Sequence, residues 1–194
     1  MTEEEYKQGI DFCQTHFSLI YPQKDFNLST IMHKAKQLVM QKGIRVLIID
    51  PYNTIQHKML SGEREDLYIS RFMSELKRFA VDFNISINLV AHQVTPSKDD
   101  SGRYLKPDVN RIKGGGTFAD KADNVCYVWR PNRALDFSDK SVIFGSQKIK
   151  KQKLVGIPQD VDNINFNIKE QRYYFDGETP FDNIDVLRCE KKLE

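Results

Sequence analysis

The sequence predicts an α/β fold in which a mostly parallel sheet is flanked by helices and followed by an antiparallel C-terminal hairpin. Strand-like and helix-like patterns alternate along the first two-thirds of the 194 residues, and this order favours a parallel sheet with right-handed crossovers. Residues 44–49 and 85–91 are almost continuously apolar, which is typical of strands buried on both faces. In such sheets function is expected at the carboxyl ends of the strands.

Three helices are predicted from apolar spacing and from residues that favour helix ends. Thr2 and Glu5 have the spacing of a capping box, so the first helix begins there. A second helix covers residues 29–41, and Gly43 follows where glycine commonly ends a helix. The third covers residues 65–83, with an asparagine as its cap.

The other strands are predicted from short runs of apolar and β-branched residues between turn signals. The last two of these runs flank a tight polar turn and form the predicted hairpin. The folded part accordingly covers residues 1–176, and residues 177–194 are predicted to be a polar tail. The further strand-like runs are residues 17–21, 124–130, 141–153, 165–169 and 172–176.

The composition is that of an ordinary globular chain, with 40% apolar and 29% charged residues. No apolar run is long enough for a membrane span, and the acidic N-terminus does not fit a signal or transit peptide. Three scattered cysteines, Cys13, Cys126 and Cys189, favour a reducing compartment. We therefore expect a cytoplasmic protein with no membrane partner.

The small net charge of +2 hides a segregation of charge along the chain. Residues 98–153 contain 13 Lys and Arg against 7 Asp and Glu, whereas residues 154–194 contain 5 against 9. A basic middle segment beside an acidic one predicts a local surface for a polyanion. The alternative is a chance cluster of lysines on a solvated face.

Polar residues directly follow two of the predicted strands. Asp50 follows four apolar residues, which is the Walker B pattern: a buried strand presents a carboxylate that holds a water molecule of the Mg²⁺ shell. His92 and Gln93 follow the next strand, where a polar pair can contact the γ-phosphate of a nucleotide. The alternatives are a surface histidine, and a metal hydrolase with Asp50 and His92 as ligands, which needs further His or Asp partners.

A second pattern combines basic residues with three consecutive glycines. Glycines let backbone N–H groups approach an anion closely, but no Lys-Ser/Thr follows them, so this is not a P-loop. The preceding loop interleaves basic residues with Tyr104, which suits a single strand of nucleic acid; the alternative is a flexible turn. The candidate binding residues are Lys98, Arg103, Lys106, Arg111, Lys113, Gly114, Gly115 and Gly116.

A third pattern is the lysine-rich run of residues 148–156. In a strand, alternate residues face the same way, so Lys151 and Lys153 are expected to share a face. The alternative is an edge strand that its lysines protect from aggregation.

Taken in order over residues 26–176, these motifs resemble the RecA-like motor domain of DnaB-like replicative helicases, and residues 50–53 are similar to phage and prophage primase-helicases. The resemblance implies that residues 111–118 bind DNA and that residues 151–156 reach the nucleotide of a neighbouring subunit. It implies a Mg²⁺ ligand in Asp50. The implied catalytic residues are Asp50, His92 and Lys153, and the implied nucleotide-binding residues are Asp50, His92, Gln93, Arg130, Lys151 and Lys153.

The resemblance implies ATP and Mg²⁺ as cofactors of the intact motor, single-stranded DNA as a partner, and a hexamer, with a dimer as the alternative for a fragment. However, Gly-x-x-x-x-Gly-Lys-Ser/Thr does not occur in the sequence, and in the family it precedes the matched region. Residues 1–176 are therefore expected to be a partial motor domain that is inactive alone. Lys153 stands where relatives have an arginine, and lysine lacks the bidentate fork. The alternative function is a non-catalytic module that binds nucleic acid or joins an oligomer.

The missing P-loop strand also carries a structural expectation. In the family it lies beside the strand that corresponds to residues 85–91, which would here have an unpaired apolar edge. Because such edges recruit partners, we expect either residues 141–153 or a second copy of the chain to pair with it.

Overall fold

The computed structural model describes residues 2–21, 24–93, 96–112 and 114–178. The chain divides into two compact units, with the boundary between His92 and Gln93. Lys113 and nearly all of the predicted tail lie outside the described residues. None of the described helices is both long and apolar enough to cross a bilayer.

The described residues of the first unit form three α-helices, a short 3-10 turn and a two-stranded sheet, and the helix ends confirm the sequence predictions. The Thr2 hydroxyl accepts from the Glu5 N–H while the Glu5 carboxylate accepts from the Thr2 N–H, which is the predicted capping box. Gly43 and Asn84 end the other two helices in left-handed conformations, with φ of 65° and 51°. The elements are α1 (Glu3–His16), α2 (Leu28–Lys42), β1 (Val46–Ile49), α3 (Glu65–Phe83) and β2 (Ser86–Leu89).

The core of the first unit is built mainly by α3 and α2. Ile69 and Phe72 of α3 are 0% and 1% exposed, and Ala35 of α2 is fully buried. Removing such large apolar side chains from water is the main stabilising term in a unit of this size. The other buried residues of the two helices are Leu28, Ile31, Tyr68, Leu76 and Phe79.

The burial of β1 differs from the prediction for a strand covered on both faces. Leu47 and Ile49 are buried, but Val46 and Ile48 are 50% and 61% exposed. These two side chains lie among the residues that line an open cleft of about 830 Å³. The described helices thus bury only one face of β1.

Residues 17–21 were expected to form a strand, and this prediction is wrong. The segment has no ladder partner among the described residues. Phe17, Leu19 and Tyr21 are all largely exposed.

The first sheet confirms the predicted parallel arrangement. β1 and β2 pair in parallel with Ile49 opposite Leu89, and α3 forms the crossover between them. Within the described chain, β2 pairs with β1 alone. The expectation that residues 141–153 pair with β2 is wrong, because both edges of that segment are already used in the second sheet.

The described residues of the second unit form an antiparallel sheet of four strands in the order β3-β4-β5-β6, together with two short α-helices and two 3-10 turns. The predicted hairpin is confirmed as β5 and β6, with Asn165 opposite Tyr174. The strand predicted over residues 124–130 begins this sheet, so parallel pairing among the described strands is confined to β1 and β2. The elements are α4 (Gly115–Lys121), β3 (Asn124–Trp129), β4 (Ser141–Ile149), α5 (Gln152–Val155), β5 (Asp160–Asn167) and β6 (Arg172–Phe175).

The lysine-rich run leaves the sheet earlier than predicted. β4 ends at Ile149, and the N–H groups of Leu154 and Val155 donate to the Lys151 carbonyl in a short helical turn. The alternation of a strand therefore does not apply to Lys151 and Lys153, and the prediction that they share a strand face is wrong.

Candidate functional site

Asp50 and His92 follow neighbouring parallel strands of the first unit. The strand ends are held together by hydrogen bonds from the Val90 N–H to the Ile49 carbonyl (2.9 Å) and from the Tyr52 N–H to the Val90 carbonyl (2.8 Å). Both functional side chains are exposed, so they are accessible to a ligand at this edge of the sheet. Across the described residues, no group of three or more His, Cys, Asp or Glu side chains could hold a metal ion. The metal-hydrolase alternative therefore lacks its further ligands in this part of the chain.

Gln93 has a different neighbourhood from the one that the nucleotide-site prediction implies. Its Nε2 atom donates to the Asp108 carbonyl at 2.8 Å, and its backbone forms an isolated antiparallel bridge with Ile112. Gln93 therefore contacts the loop that carries the candidate DNA-binding residues.

The main candidate for DNA binding is residues 107–117, which we call the glycine-rich segment. It contains a 3-10 turn, Val109–Arg111. Asp108 precedes this turn, and its carboxylate accepts hydrogen bonds from the backbone and the side chain of Asn110. The Gly115 N–H then donates to the Ile112 carbonyl at 2.7 Å, and α4 begins. Arg111 is exposed, so its guanidinium is accessible at the end of this turn.

The three glycines have three different environments. Gly114 has a φ of 75° and precedes α4 in a left-handed conformation that favours glycine. Gly115 is buried, and a Cβ atom there would lie 2.2 Å from the Val109 carbonyl oxygen and 2.7 Å from two Asn110 backbone atoms. Gly116 is exposed, and a Cβ atom there would meet nothing within 4 Å. The first two glycines are thus required by the turn itself.

Lys98 and Arg103 lie on a small hairpin, residues 97–105, that the sequence pattern did not predict. Lys98 and Tyr104 form an antiparallel bridge, and the Lys98 Nζ atom lies 5.4 Å from the centre of the Tyr104 ring. Hydrogen bonds from the Ser101 hydroxyl and from the Arg103 N–H lower the pKa of Asp99 at the turn. Lys98 and Arg103 are both exposed.

Lys106 has a charge partner within the chain. Its Nζ atom lies 2.6 Å from the Asp160 Oδ2 atom and 5.3 Å from the centre of the Tyr127 ring. Tyr127 donates its hydroxyl hydrogen to the other Asp160 oxygen, and Gly145 leaves room for this pair because a Cβ atom would lie 2.3 Å from the Tyr127 ring. The hydrogen bond to Asp160 raises the pKa of Lys106. Lys106 therefore ties its loop to the sheet through Asp160 although its side chain is exposed. Lys98, Arg103 and Arg111 are also exposed.

Arg130 and the two lysines assigned to nucleotide binding differ in accessibility. The Arg130 Nη2 atom donates to the Asp139 carbonyl at 2.6 Å, and its guanidinium lies 5.3 Å from the centre of the Phe166 ring. Its Nε atom is buried without a hydrogen-bond partner in the described part of the chain. Lys151 and Lys153 are exposed at α5.

Sequence reasoning missed the residues that hold these loops. Asp160, Tyr127 and Gln147 each stand alone in a strand, without a repeated spacing or a motif. Their partners are 33 to 54 residues away along the chain. Only the fold brings them together.

Residues 2–178 match the family model of the DnaB-like helicase C terminal domain. The chain belongs to this family. A curated relative in Arabidopsis thaliana, the Twinkle homolog protein of chloroplasts and mitochondria, is 30% identical over 132 residues. That match covers 67% of this chain and 18% of the relative, so the chain spans a small part of the relative's length.

Two solved structures have the same fold. One is an ATPase domain that is similar with a TM-score of 0.64 and 17% identity, covering 87% of this chain and 58% of that chain. The other is a DnaB-like replicative helicase, studied with its interactions with primase, which has a TM-score of 0.63 and 16% identity, covering 87% and 41%. These similarities confirm the predicted α/β, RecA-like class.

Proposed function

We propose that this chain works as part of the motor of an ATP-driven replicative DNA helicase, and that its glycine-rich segment contacts single-stranded DNA. The observation that carries this proposal is the exposed Arg111, which stands on an anchored turn immediately before the glycines. Membership of the DnaB-like family supports it. So does the excess of basic residues between positions 98 and 153.

The DNA contact that we propose combines charge with stacking. Lys98, Arg103 and Arg111 are exposed cations that neutralise backbone phosphates, and their binding releases counterions. Lys113, which lies outside the described residues, and the backbone N–H group of the exposed Gly116 extend the same contact. Tyr104 on the hairpin offers a partly exposed ring to a base, and stacking of this kind tolerates any sequence.

On the nucleotide side, we propose that Asp50 holds a water molecule of the Mg²⁺ shell and that His92 contacts the γ-phosphate. The exposed carboxylate at a strand end fits that ligand role. When bound, ATP and Mg²⁺ supply the phosphoryl-transfer chemistry. The Gly-Lys-Ser/Thr cradle is not in the 194 residues, so a complete nucleotide site needs groups from elsewhere.

We further propose that the motor assembles as a hexamer in the cytoplasm. In that assembly the exposed Lys151, which caps α5, and the exposed Lys153 of α5 approach the ATP of a neighbouring subunit, where each contributes a point charge. Arg130 has partners within its own unit, the Asp139 carbonyl and the Phe166 ring, so we do not include it in the proposed nucleotide site.

Replacing Arg111 by alanine is expected to weaken binding of a fluorescein-labelled oligo(dT) measured by anisotropy. Each lost phosphate contact should reduce the slope of log affinity against log salt by about 0.7. We expect the Arg111→Ala line to be flatter than the wild-type line and to lie below it at low salt.

Lys169→Ala is the matched control, because Lys169 is an exposed lysine on the turn between β5 and β6, outside the basic segment. Its slope and affinity are expected to equal those of the wild type. An Arg111→Ala slope that equals the wild-type slope would assign the basic residues to a solvated face instead.

A further inference from the structure

A side chain of β4 holds the glycine-rich segment from outside. The Gln147 Oε1 atom accepts a hydrogen bond from the Val109 N–H at 2.9 Å, and the Gln147 Nε2 atom donates to the Pro107 carbonyl. Both ends of the carboxamide are therefore used, and the side chain is half-buried. The contact joins residues that are 38 and 40 positions apart in the sequence.

These two hydrogen bonds matter because the described residues of the segment form no strand ladder and have only the isolated bridge between Ile112 and Gln93. Backbone N–H and C=O groups that leave water need partners, and an irregular turn cannot provide them all internally. A carboxamide offers one donor edge and one acceptor edge, so Gln147 binds Pro107 and Val109 as a peptide group of an adjacent strand would. The turn held in this way ends at the exposed Arg111.

The next residue of β4 holds the other end of the same region. The Lys148 Nζ atom donates to the Ala119 carbonyl at 2.6 Å and to the Asp120 carbonyl at 3.1 Å, in the last turn of α4. A cation is favourable there, because the last carbonyls of a helix lack intrahelical partners. Two consecutive residues of β4 thus hold the 3-10 turn before the glycines and the last turn of α4, the helix that Gly115 begins.

We propose that Gln147 is a positioning residue for DNA binding. Its carboxamide fixes the turn before the glycines, so that Arg111 contacts a phosphate without the loss of conformational entropy that ordering the turn on binding would require. This inference rests on the proposed contact between the glycine-rich segment and single-stranded DNA. Because Gln147 carries no charge, its loss should lower affinity without removing a phosphate contact.

The test compares the full chain with its Gln147→Met variant, which keeps the length of the side chain and removes both hydrogen bonds. Affinity for labelled oligo(dT) is expected to fall by about tenfold, with a salt slope parallel to that of the wild type. Hydrogen–deuterium exchange without DNA should be faster in residues 107–117 and unchanged in the strands of the second sheet. Gln37→Met, on the exposed surface of α2, is the matched control and should change neither measurement.

A second variant, Gln147→Glu, keeps the proposal testable if Gln147→Met does not fold. At neutral pH the carboxylate accepts from the Val109 N–H but cannot donate to the Pro107 carbonyl, so affinity should fall. When the carboxyl is protonated at lower pH it regains the donor, and the difference from the wild type should shrink. Gln37→Glu controls for the added charge and should show no such recovery above pH of about 5, since an exposed Glu titrates near 4.3.

Parallel salt plots, exchange that is faster only in residues 107–117, and recovery of Gln147→Glu at low pH would support the inference. Equal affinity of wild type and Gln147→Met would overturn it, as would faster exchange across the whole second unit, which marks a general structural role. If the wild type does not bind oligo(dT) even at low salt, the proposed function fails, and the inference falls with it. A wild type that binds, beside variants that bind equally well, overturns the inference alone.

Discussion

Replacing Gly115 by alanine is expected to lower the free energy of unfolding of the second unit by about 1–3 kcal/mol. The added Cβ atom would lie 2.2 Å from the Val109 carbonyl oxygen, and the atoms it meets are backbone rather than flexible side chain. The turn before α4 must therefore shift, and Arg111 shifts with it. We expect the variant to lose most of its affinity for oligo(dT), measured by anisotropy, and to unfold at a lower urea concentration by circular dichroism.

Gly116→Ala is the control for this experiment, because it makes the same chemical change one residue later. A Cβ atom at Gly116 meets nothing within 4 Å, and alanine is favoured over glycine in a helix by up to about 1 kcal/mol. Stability should be equal or higher, and most of the DNA affinity should remain, because alanine keeps the backbone N–H group at position 116. If Gly115→Ala unfolds and binds DNA like Gly116→Ala, the close packing of Gly115 against the turn does not position the binding surface.

The second large effect is on catalysis. The purified 194-residue chain is expected to hydrolyse no ATP above the rate of its own Asp50→Ala variant. Phosphoryl transfer depends on positioning and charge neutralisation by a phosphate cradle, and Gly-x-x-x-x-Gly-Lys-Ser/Thr does not occur in the sequence. The measurement is phosphate release at saturating Mg²⁺–ATP, with and without oligo(dT).

Steady turnover that Asp50→Ala abolishes would contradict this expectation and would reveal a phosphate site of another kind. DNA binding without turnover would instead fit the non-catalytic alternative for the chain by itself. The two assays together therefore separate the binding role from the catalytic one.

Local signals predicted the helices well. Their ends depend on residues within one turn, such as the Thr2 and Glu5 capping box, Gly43 and Asn84, and the structure places each as expected. Helix α3 has the predicted bounds of residues 65–83. A capping hydrogen bond or a left-handed residue acts over three or four positions, so the sequence alone contains the cause.

The strands were predicted less completely, because their burial depends on what covers them. An apolar run such as residues 44–49 predicts a strand, but the exposure of Val46 and Ile48 depends on neighbours that lie far away in sequence. Residues 17–21 have the pattern of a strand without a ladder partner among the described residues. The end of β4 at Ile149 was missed because the lysines that follow fit a strand and a helical turn equally well.

In the candidate site, too, only some of the residues could be placed from the sequence. Asp50 and His92 were predicted to lie at neighbouring strand ends, and the parallel pairing of β1 and β2 places them there. The role of Lys106 could not be predicted, because its partner Asp160 is 54 residues away and belongs to no motif. The two hydrogen bonds that Gln147 makes to Pro107 and Val109 could not be predicted either, because a single glutamine in a strand forms no recognisable pattern.

The central claim is that the hairpin and the glycine-rich segment form the surface that meets single-stranded DNA. Photocrosslinking the chain to an oligonucleotide that contains 4-thiothymidine, followed by mass spectrometry of tryptic peptides, tests it directly. We expect the crosslinks to concentrate in residues 97–117, and we expect Arg111→Ala to reduce their yield while Lys169→Ala does not. Crosslinks that concentrate in residues 2–92, or that spread evenly over the chain, would contradict it.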